Sequence, residues 1–301
     1  MSFGGGFTAT LAAQSQGTNG SSGGGTNMTG GYGPNNGGPA VTGPTTFGGQ
    51  RWPDIVGALH VKQGWGEAQV SGVIHNVNVR DYGFYGTDTC GIGITSGSVC
   101  GASEGKVGWG VDAGVKVNLP SFGAGDDILF TGSYTQNAVW YSGLPDAQNG
   151  ENGQVNGNGQ SMYMSDAYFN PLTNQWATPR AWSVSMLAEH HWTPTFYTDL
   201  EASVGGIQWS GQNGAVLTAP GVTTGTGQIS PHAFTYLIGA DIGWNPVTNL
   251  NFDLELMYQH VTQDAPSGNI GTIYNTGAFI PGAWEGDSSG FQGRLRVTRY
   301  F

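Results

Sequence analysis

The chain has 301 residues and is rich in Gly (54) and in aromatic residues (10 Trp, 12 Tyr and 13 Phe), while only 10% of its residues are charged. This composition is poor in helix formers and rich in turn and strand formers, so it favours an all-β fold. The net charge of −11, with nine Lys and Arg, excludes a basic surface for nucleic acid, and no run approaches the roughly twenty apolar residues of a membrane helix.

The amino-terminal stretch MSFGGGFTATLAAQ alternates like a strand, but it has neither the basic region nor the hydrophobic core of a signal peptide. We therefore expect a mature fragment, an internal start or a truncated gene model. Residues from Ser15 to Gln50 are nearly all Gly, Ser, Thr, Asn and Pro, which predicts a long polar loop. The Gly-rich tract within it is not a phosphate loop, because no helix or Lys-Ser/Thr pair follows.

A β-hairpin is predicted next, within RWPDIVGALHVKQGWGEAQVSGVIHNVNV. Alternate positions are apolar or Gly from Ile55 to Val61 and again from Ala68 to Ile74, which gives each strand one apolar face. The turn lies near Gly64 to Gly66.

Three more pairs of alternating segments follow, each joined by a short turn. The predicted strands are 106–118 and 126–141, then 181–192 and 195–209, and then 232–245 and 248–262. The turns are predicted at a Leu-Pro-Ser-Phe-Gly sequence, at Thr193-Pro194 and at Asn245-Pro246.

The last fifteen residues, DSSGFQGRLRVTRYF, form a clearly amphipathic strand. Phe291, Leu295 and Val297 point one way, whereas Arg294 and Arg296 point the other. In a soluble sandwich the apolar face would pack on a second sheet, and in a membrane barrel it would face lipid.

About ten strands are predicted, and long connections alternate strictly with short ones. A barrel with short turns at one end and long external loops at the other requires this alternation, whereas a sandwich does not. The sequence therefore predicts one antiparallel up-and-down transmembrane β-barrel domain over residues 1–301. The long loops are predicted near 15–50, 79–105, 142–179, 210–231 and 263–286. Tryptophans near strand ends are predicted to form girdles at the two membrane interfaces: Trp52, Trp65, Trp140, Trp192, Trp209 and Trp244.

The alternation also predicts which ionisable side chains face inward. Eight acids and four bases belong to this set, so an aqueous pore that they line would prefer cations modestly. The alternative is that they are ordinary solvated strand faces joined by weak cross-strand ion pairs. The set is Lys62, Glu67, Asp112, Lys116, Glu189, Asp199, Glu201, Asp241, Asp253, Glu255, Arg294 and Arg296.

Catalysis and metal binding find little support in the sequence. His190 and His191 are adjacent, so in a strand they face opposite ways and cannot both bind one metal. His60 and His75 are predicted to share the inner face, but a third ligand is missing. No GxSxG-type sequence holds a nucleophilic Ser. We therefore predict no metal, no cofactor and no enzymatic activity.

Cys90 and Cys100 bracket a Gly- and Ser-rich loop on the proposed external side. In an oxidising compartment they would close a small disulfide ring worth roughly 2 to 3 kcal/mol. The alternative is two unpaired thiols in a flexible loop.

The segment PDIVG followed by Q-GWG-AQVSG-IH, together with the closing strand, resembles the alphaproteobacterial (rhizobial-type) outer-membrane porins. This resemblance implies a channel for passive diffusion of small hydrophilic solutes and ions, in contact with outer-membrane lipid. It also implies sixteen-stranded barrels that form homotrimers. The terminal Phe301 resembles the signal that the outer-membrane assembly machinery reads.

The resemblance covers the carboxy-terminal portion of that family, from roughly its seventh strand. It therefore implies that the first six strands and the long inward-folded constriction loop are absent. Ten strands out of sixteen leave two open edges, so either further strands belong to a longer chain or these ten close into a narrower barrel. Two other hypotheses stay open: a small closed outer-membrane barrel that acts as a surface enzyme or adhesin, and a soluble or secreted β-sandwich.

Overall fold

A computed structural model describes eleven segments of the chain, and the statements below concern only those residues. They are 2–14, 45–47, 51–81, 105–144, 166, 168–170, 175–210, 232–264, 271–273, 279–281 and 287–300.

The described residues form strands and one single-turn 3-10 helix, Val139–Tyr141. The first eight strands are β1 (Ser2–Gly4), β2 (Phe7–Gln14), β3 (Thr45–Phe47), β4 (Asp54–Gln63), β5 (Gly66–Asp81), β6 (Gly105–Asn118), β7 (Asp127–Gln136) and β8 (Tyr168–Asn170). The others are β9 (Gln175–Thr193), β10 (Phe196–Ser210), β11 (His232–Val247), β12 (Leu250–Gln263), β13 (Gly271–Ile273), β14 (Phe279–Pro281) and β15 (Asp287–Arg299).

One antiparallel sheet contains ten long strands in chain order, with β1 added at its first edge. Its order is β1-β2-β4-β5-β6-β7-β9-β10-β11-β12-β15, while β3 pairs with β5 and β8 with β9. Short turns join the long strands at one end of the sheet, and long connections join them at the other. This confirms the all-β, up-and-down fold predicted from the alternation of connection lengths.

The sheet is open rather than closed. Among the described residues, β1 and β15 are its outer strands and do not pair with each other. A separate hairpin of β13 and β14 lies outside this sheet.

The strands differ from the predicted segments mainly at their ends. β5 runs on to Asp81 and β9 begins already at Gln175, so both extend into stretches predicted as loops. The turn predicted at Asn245-Pro246 is wrong. β11 continues to Val247 through a register shift, and the chain reverses at Thr248-Asn249, where Asn249 adopts a left-handed φ of 65°. Asn tolerates this conformation better than most residues, which explains its place in the turn.

The two faces of the sheet differ strongly in chemistry, because side chains alternate along every strand. We call them the apolar face and the polar face. The apolar face carries large, exposed side chains, among them Leu11, Leu59, Val70, Ile74, Val111, Phe130, Leu200, Ile238, Leu254, Leu256, Phe291 and Leu295. Such an extensive exposed apolar surface is typical of contact with lipid.

The small hydrophobic core lies on the polar face, near the end with the long connections. Val73, Val77, Ile207, Trp209 and Val261 are buried there. The prediction that Trp209 belongs to an interfacial girdle is therefore wrong, since its side chain is only 4% exposed and lies on the polar face with Ile207.

The other predicted girdle tryptophans lie at different places. Trp65, Trp192 and Trp244 are exposed near the ends of strands at the short-turn edge. Trp140 is also exposed, but it lies in the 3-10 helix that follows β7 and not on a strand. Trp52 precedes β4.

Candidate functional site

The polar face gathers all twelve ionisable residues that the alternation predicted. Cross-strand register places their side chains on one side of the sheet, opposite the apolar face. They are Lys62, Glu67, Asp112, Lys116, Glu189, Asp199, Glu201, Asp241, Asp253, Glu255, Arg294 and Arg296.

Five carboxylates form a straight row across this face, which we call the acidic row. Each residue is the direct cross-strand partner of the next, from β7 through β12. The acidic row is Asp127, Glu189, Asp199, Asp241 and Glu255. Neighbouring strands are about 4.8 Å apart, so like charges meet at every step, and each pair repels by about 1 kcal/mol even in water.

Cations lie at the two ends of the acidic row. Lys116 Nζ lies 2.6 Å from Asp127 Oδ2 at one end, and Arg294 forms an ion pair with Glu255 at the other. In the middle, Asp199 and Asp241 have no ion pair with a described residue, and one oxygen of each is buried without a hydrogen-bond partner there. The centre of the row therefore holds two carboxyl groups without a cationic partner in the described part of the chain.

Further ion pairs flank the row. Arg296 Nε lies 3.3 Å from Asp253 Oδ2, and the Tyr197 hydroxyl donates to Asp253 Oδ1 over 3.1 Å. Lys62 Nζ lies 3.5 Å from Glu67 Oε2. The cation of each pair is exposed, so these pairs stabilise the fold little, and the alternative of weak cross-strand ion pairs applies to part of the set. Asp112 lies beside Ser71 and Ser133 on neighbouring strands.

The segment after β7 folds onto the polar face. The carbonyl oxygen of Ser142 accepts hydrogen bonds from the hydroxyls of Ser133 and Ser183, which lie on that face in β7 and β9. Leu144 is buried against Gly205 of β10. Residues 137–144 therefore form a short segment against the polar face, and the absence of the family's long constriction loop stays a prediction.

A buried cluster attaches this segment to the start of β4 and to β5. His75 Nδ1 lies 2.7 Å from Asp54 Oδ2, and His75 Nε2 lies 3.1 Å from Asp166 Oδ2. The Tyr141 hydroxyl donates to Asp54 over 2.6 Å, and the backbone N–H of Val139 donates to Asp166 over 2.6 Å. Asp54, His75 and Asp166 are at most 2% exposed. We call these five residues the histidine latch.

Every polar atom of the latch carboxylates has a donor. Asp54 Oδ1 accepts from the backbone N–H of Asn76, and the remaining three oxygens accept from His75, Tyr141 and Val139. Because an ionised carboxylate only accepts, both ring nitrogens of His75 must donate, and the ring is an imidazolium. This charge between two buried carboxylates satisfies the requirement that buried charges be paired. Neither nitrogen of His75 is left to act as a general base.

Asp126 lies in the connection between β6 and β7 at the short-turn end and attaches this connection to β9. Its Oδ2 lies 2.6 Å from His190 Nδ1, and its Oδ1 accepts from the backbone N–H of His191 over 2.9 Å. These hydrogen bonds, that from His191 first, hold the pKa of the Asp126 carboxyl below its ordinary value of 3.8. His190 and His191 point to opposite faces of β9, as predicted. The ring of His190 and the backbone N–H of His191 both hydrogen-bond to Asp126.

Metal binding finds no support in the described part of the chain, where no three His, Cys, Asp or Glu side chains are grouped to hold an ion. His60 contacts Glu67 and stays apart from His75. Cys90, Cys100 and Phe301 lie outside the described residues. Within the described residues, no helix has the length and apolarity needed to cross a membrane.

Sequence reasoning missed several residues of this face. Asp127 belongs to the acidic row, and simple alternation back from Thr131 would have found it. Asp54 and Asp166 were not singled out, because their partner His75 lies 21 and 91 positions away and no local pattern signals such contacts.

Comparison with known proteins connects this arrangement to a family. A family model described as "Porin subfamily" matches residues 1–284. No curated protein matches the chain.

Two solved structures resemble it weakly. The outer membrane channel DcaP of Acinetobacter baumannii is 11% identical, with a TM-score of 0.41 over 84% of this chain and 53% of its own. The chain thus spans about half the length of that channel. The outer membrane protease OmpT from Escherichia coli is 10% identical, with a TM-score of 0.24 over 83% of this chain and 84% of its own.

Both TM-scores lie below 0.5, so the assignment rests on the family match, which covers nearly the whole chain. An open apolar face, a charged opposite face and connections that alternate in length agree with it. The chain therefore belongs to the porin family described as the Porin subfamily, and it is an outer-membrane protein.

Proposed function

We propose that the polar face lines an aqueous channel through which small hydrophilic solutes and ions diffuse passively. The observation that carries this proposal is the separation of chemistry between the faces: ionisable side chains gather on one side, and large exposed apolar side chains cover the other. In a membrane the apolar face meets lipid, so the polar face must meet water or other protein.

The acidic row gives the channel a preference for cations. Its central residues, Asp199 and Asp241, have no ion pair within the described structure, so their field is less compensated than that of the ends. A row of fixed negative charges beside a water-filled space raises the local concentration of cations. The expected selectivity is modest because Lys116, Arg294 and Arg296 lie on the same face.

The segment that folds onto the polar face restricts the width of the channel. Residues 137–144 occupy space on the side where solutes would pass, and the histidine latch fixes the segment there. A buried, fully hydrogen-bonded attachment keeps this restriction in one position.

We also propose the finer assignments that the resemblance implies. These are membership of the alphaproteobacterial, rhizobial-type porins, assembly as a homotrimer, and recognition of Phe301 by the outer-membrane assembly machinery. Contact with outer-membrane lipid is supported by the apolar face.

Planar-bilayer recordings test the channel and its selectivity together. The refolded protein should give ohmic conductance steps, and a salt gradient of KCl should give a reversal potential of the sign that cation preference requires. The double variant Asp199→Asn/Asp241→Asn should lower the ratio of potassium to chloride permeability by roughly twofold or more.

Asp264→Asn is the matched control, since it also removes an acid but lies outside the row, in an exposed pair with His232. A folded, membrane-inserted protein that never conducts would contradict the channel. Equal selectivity of the double variant and the wild type would contradict the role of the acidic row.

A further inference from the structure

A pocket of about 310 Å³ opens on the polar face where β7 and β9–β12 lie side by side. Its lining is largely apolar, although it belongs to the charged side of the sheet. The side chains that define this wall pocket are Leu129, Thr131, Leu187, Glu201, Leu237 and Met257. A wall that contacts only water gains nothing from four large apolar side chains in one place, because exposed apolar surface costs free energy.

The register of the strands explains how the wall pocket forms. Leu129 lies opposite Leu187, and Leu187 lies opposite Glu201. The next position, opposite Glu201, is Gly239. A Cβ there would clash with the Glu201 carboxylate and would lie 2.9 Å from Met257 Cγ. The missing side chain of Gly239 therefore leaves the space in which Glu201 and Met257 meet.

The wall pocket contains one ionisable side chain, the carboxyl group of Glu201. Glu201 makes no ion pair or hydrogen bond with any residue in the described part of the chain. Asp199 lies two residues away on the same face of β10, with Asp241 as its cross-strand partner, and Oδ1 of each is buried without a partner among the described residues. Arg294, three strands away from Glu201 on β15, is paired with Glu255.

These features select one class of ligand. An inorganic cation needs oxygen ligands in place of its water, and the apolar lining offers few. A neutral apolar molecule would cover the Glu201 carboxylate without pairing it, which is costly. An anion would be repelled by Glu201 and the acidic row. A cation with an apolar body satisfies both parts of the pocket, and about 310 Å³ suits a small molecule.

We propose that the wall pocket binds a monovalent organic ammonium ion with an apolar body, its ammonium group on Glu201 and its hydrocarbon part against Leu129, Leu187 and Met257. This inference rests on the proposed channel function and names a class of solute for it. The pocket is a binding site on the channel wall for such cations, and potassium has no such site there.

The test uses hexylammonium as the probe, with hexanol and hexanoate as neutral and anionic probes of the same chain length. Calorimetric titration of the folded protein in detergent measures binding without any need for conduction. We expect hexylammonium to bind at least tenfold more tightly than either other probe. Glu201→Gln should weaken its binding tenfold or more.

Two further variants keep the test decisive. Gly239→Ala keeps the charge but places a methyl group where the Glu201 carboxylate lies, so it should also weaken hexylammonium binding. Glu67→Gln is the matched control, because Glu67 lies on the same face far from the pocket, beside His60 and Lys62. If Glu201→Gln fails to fold, hexylammonium binding to Gly239→Ala tests the inference.

Binding that is lost in the two pocket variants and kept in Glu67→Gln supports the inference. Absence of binding to the wild type, equal binding of hexanol, or equal loss in Glu67→Gln would overturn it. Recordings with hexylammonium separate this outcome from that of the channel. A protein that conducts without binding the probe refutes the pocket alone, and one that binds the probe without conducting refutes the channel alone.

Discussion

Asp166 lies 91 positions from His75 in the chain, and its contact with His75 joins the long connection after β7 to the sheet, together with the hydrogen bond from Tyr141 to Asp54. Its other oxygen accepts a hydrogen bond from the backbone N–H of Val139, so Asp166 contacts both His75 in β5 and the 3-10 helix after β7. The His75 imidazolium lies between two carboxylates that are almost fully buried. Charges in such a place stabilise the fold only while every partner remains, which makes the latch sensitive to single substitutions.

Asp166→Asn is expected to open the latch. An amide cannot replace a carboxylate that accepts from both Val139 and the His75 ring, and breaking a buried ion pair costs about 3–5 kcal/mol. Hydrogen exchange at the Val139 amide should become faster, and the free energy of unfolding should fall. The control Asp264→Asn breaks an exposed pair with His232 and should change neither much. Unchanged protection of the Val139 amide would contradict the latch.

The pH dependence of stability gives a second prediction at this scale. Hydrogen bonds from His191 and His190 lower the pKa of Asp126, so folding favours its ionised form. Its contribution is fully present above about pH 4 and is lost as the pH falls through the folded-state pKa.

Asp126→Asn should therefore lose less stability than the wild type between about pH 5 and pH 3. The midpoint of urea unfolding in detergent at the two pH values measures this. The substitution removes only the carboxyl group of Asp126, so the difference between the two proteins reports that group. Equal pH sensitivity of the two proteins would show that Asp126 does not contribute in this way.

At the scale of elements, the turn between β4 and β5 shows why the first residue of β5 must be Gly. Gly66 has a φ of 143°, and a Cβ there would clash with the carbonyl of Lys116 in β6. The tight turn and the close approach of β6 therefore both require Gly at this position. Gly64, in the same turn, has open space around it.

Gly66→Ala is expected to destabilise the protein by about 1–3 kcal/mol, because the backbone conformation is strained for Ala and the methyl group meets the backbone of β6. Gly64→Ala is the matched control and should have a small effect. The temperature at which the folded form is lost, read from heat-modifiable migration on gels, compares them. A loss of stability as large for Gly64→Ala would contradict this explanation.

The elements were largely predictable because their signal is local. Alternation with period two identified the faces of ten long strands, and all twelve predicted ionisable residues share the polar face. Local sequence patterns gave wrong predictions where a contact with a distant segment determines the structure. Trp209 obeys the alternation but is buried in the small core, and the Asn245-Pro246 pair looked like a turn but continues the strand.

Neither the acidic row nor the wall pocket was predictable from one sequence. Both depend on the register between neighbouring strands, and a shift of one residue would move Asp199 or Leu187 to the opposite face. The latch depends on residue 166, far along a long connection. Sequence patterns show which side a residue faces, and only the paired sheet shows which residues become neighbours.

At the scale of the whole molecule, the sheet has two faces that meet two different solvents. The apolar face is far too large and exposed for water, and the polar face is too highly charged for lipid. In the described part of the chain β1 and β15 do not pair with each other, and lipid does not tolerate unpaired strand edges, so in the membrane both edges must be covered. Channel function, cation preference and the wall pocket all require that the polar face be wet.

The measurement that tests this most directly compares two adjacent residues of β9. Ser185 lies on the polar face, where its hydroxyl is 2.8 Å from that of Ser203, and Val184 is exposed on the apolar face. Each is replaced by Cys in a Cys90→Ser/Cys100→Ser background, and the protein in liposomes is treated with a charged, membrane-impermeant thiol reagent. We expect fast labelling of Ser185→Cys and protection of Val184→Cys by lipid. Equal labelling of both, or preferential labelling of Val184→Cys, would contradict it.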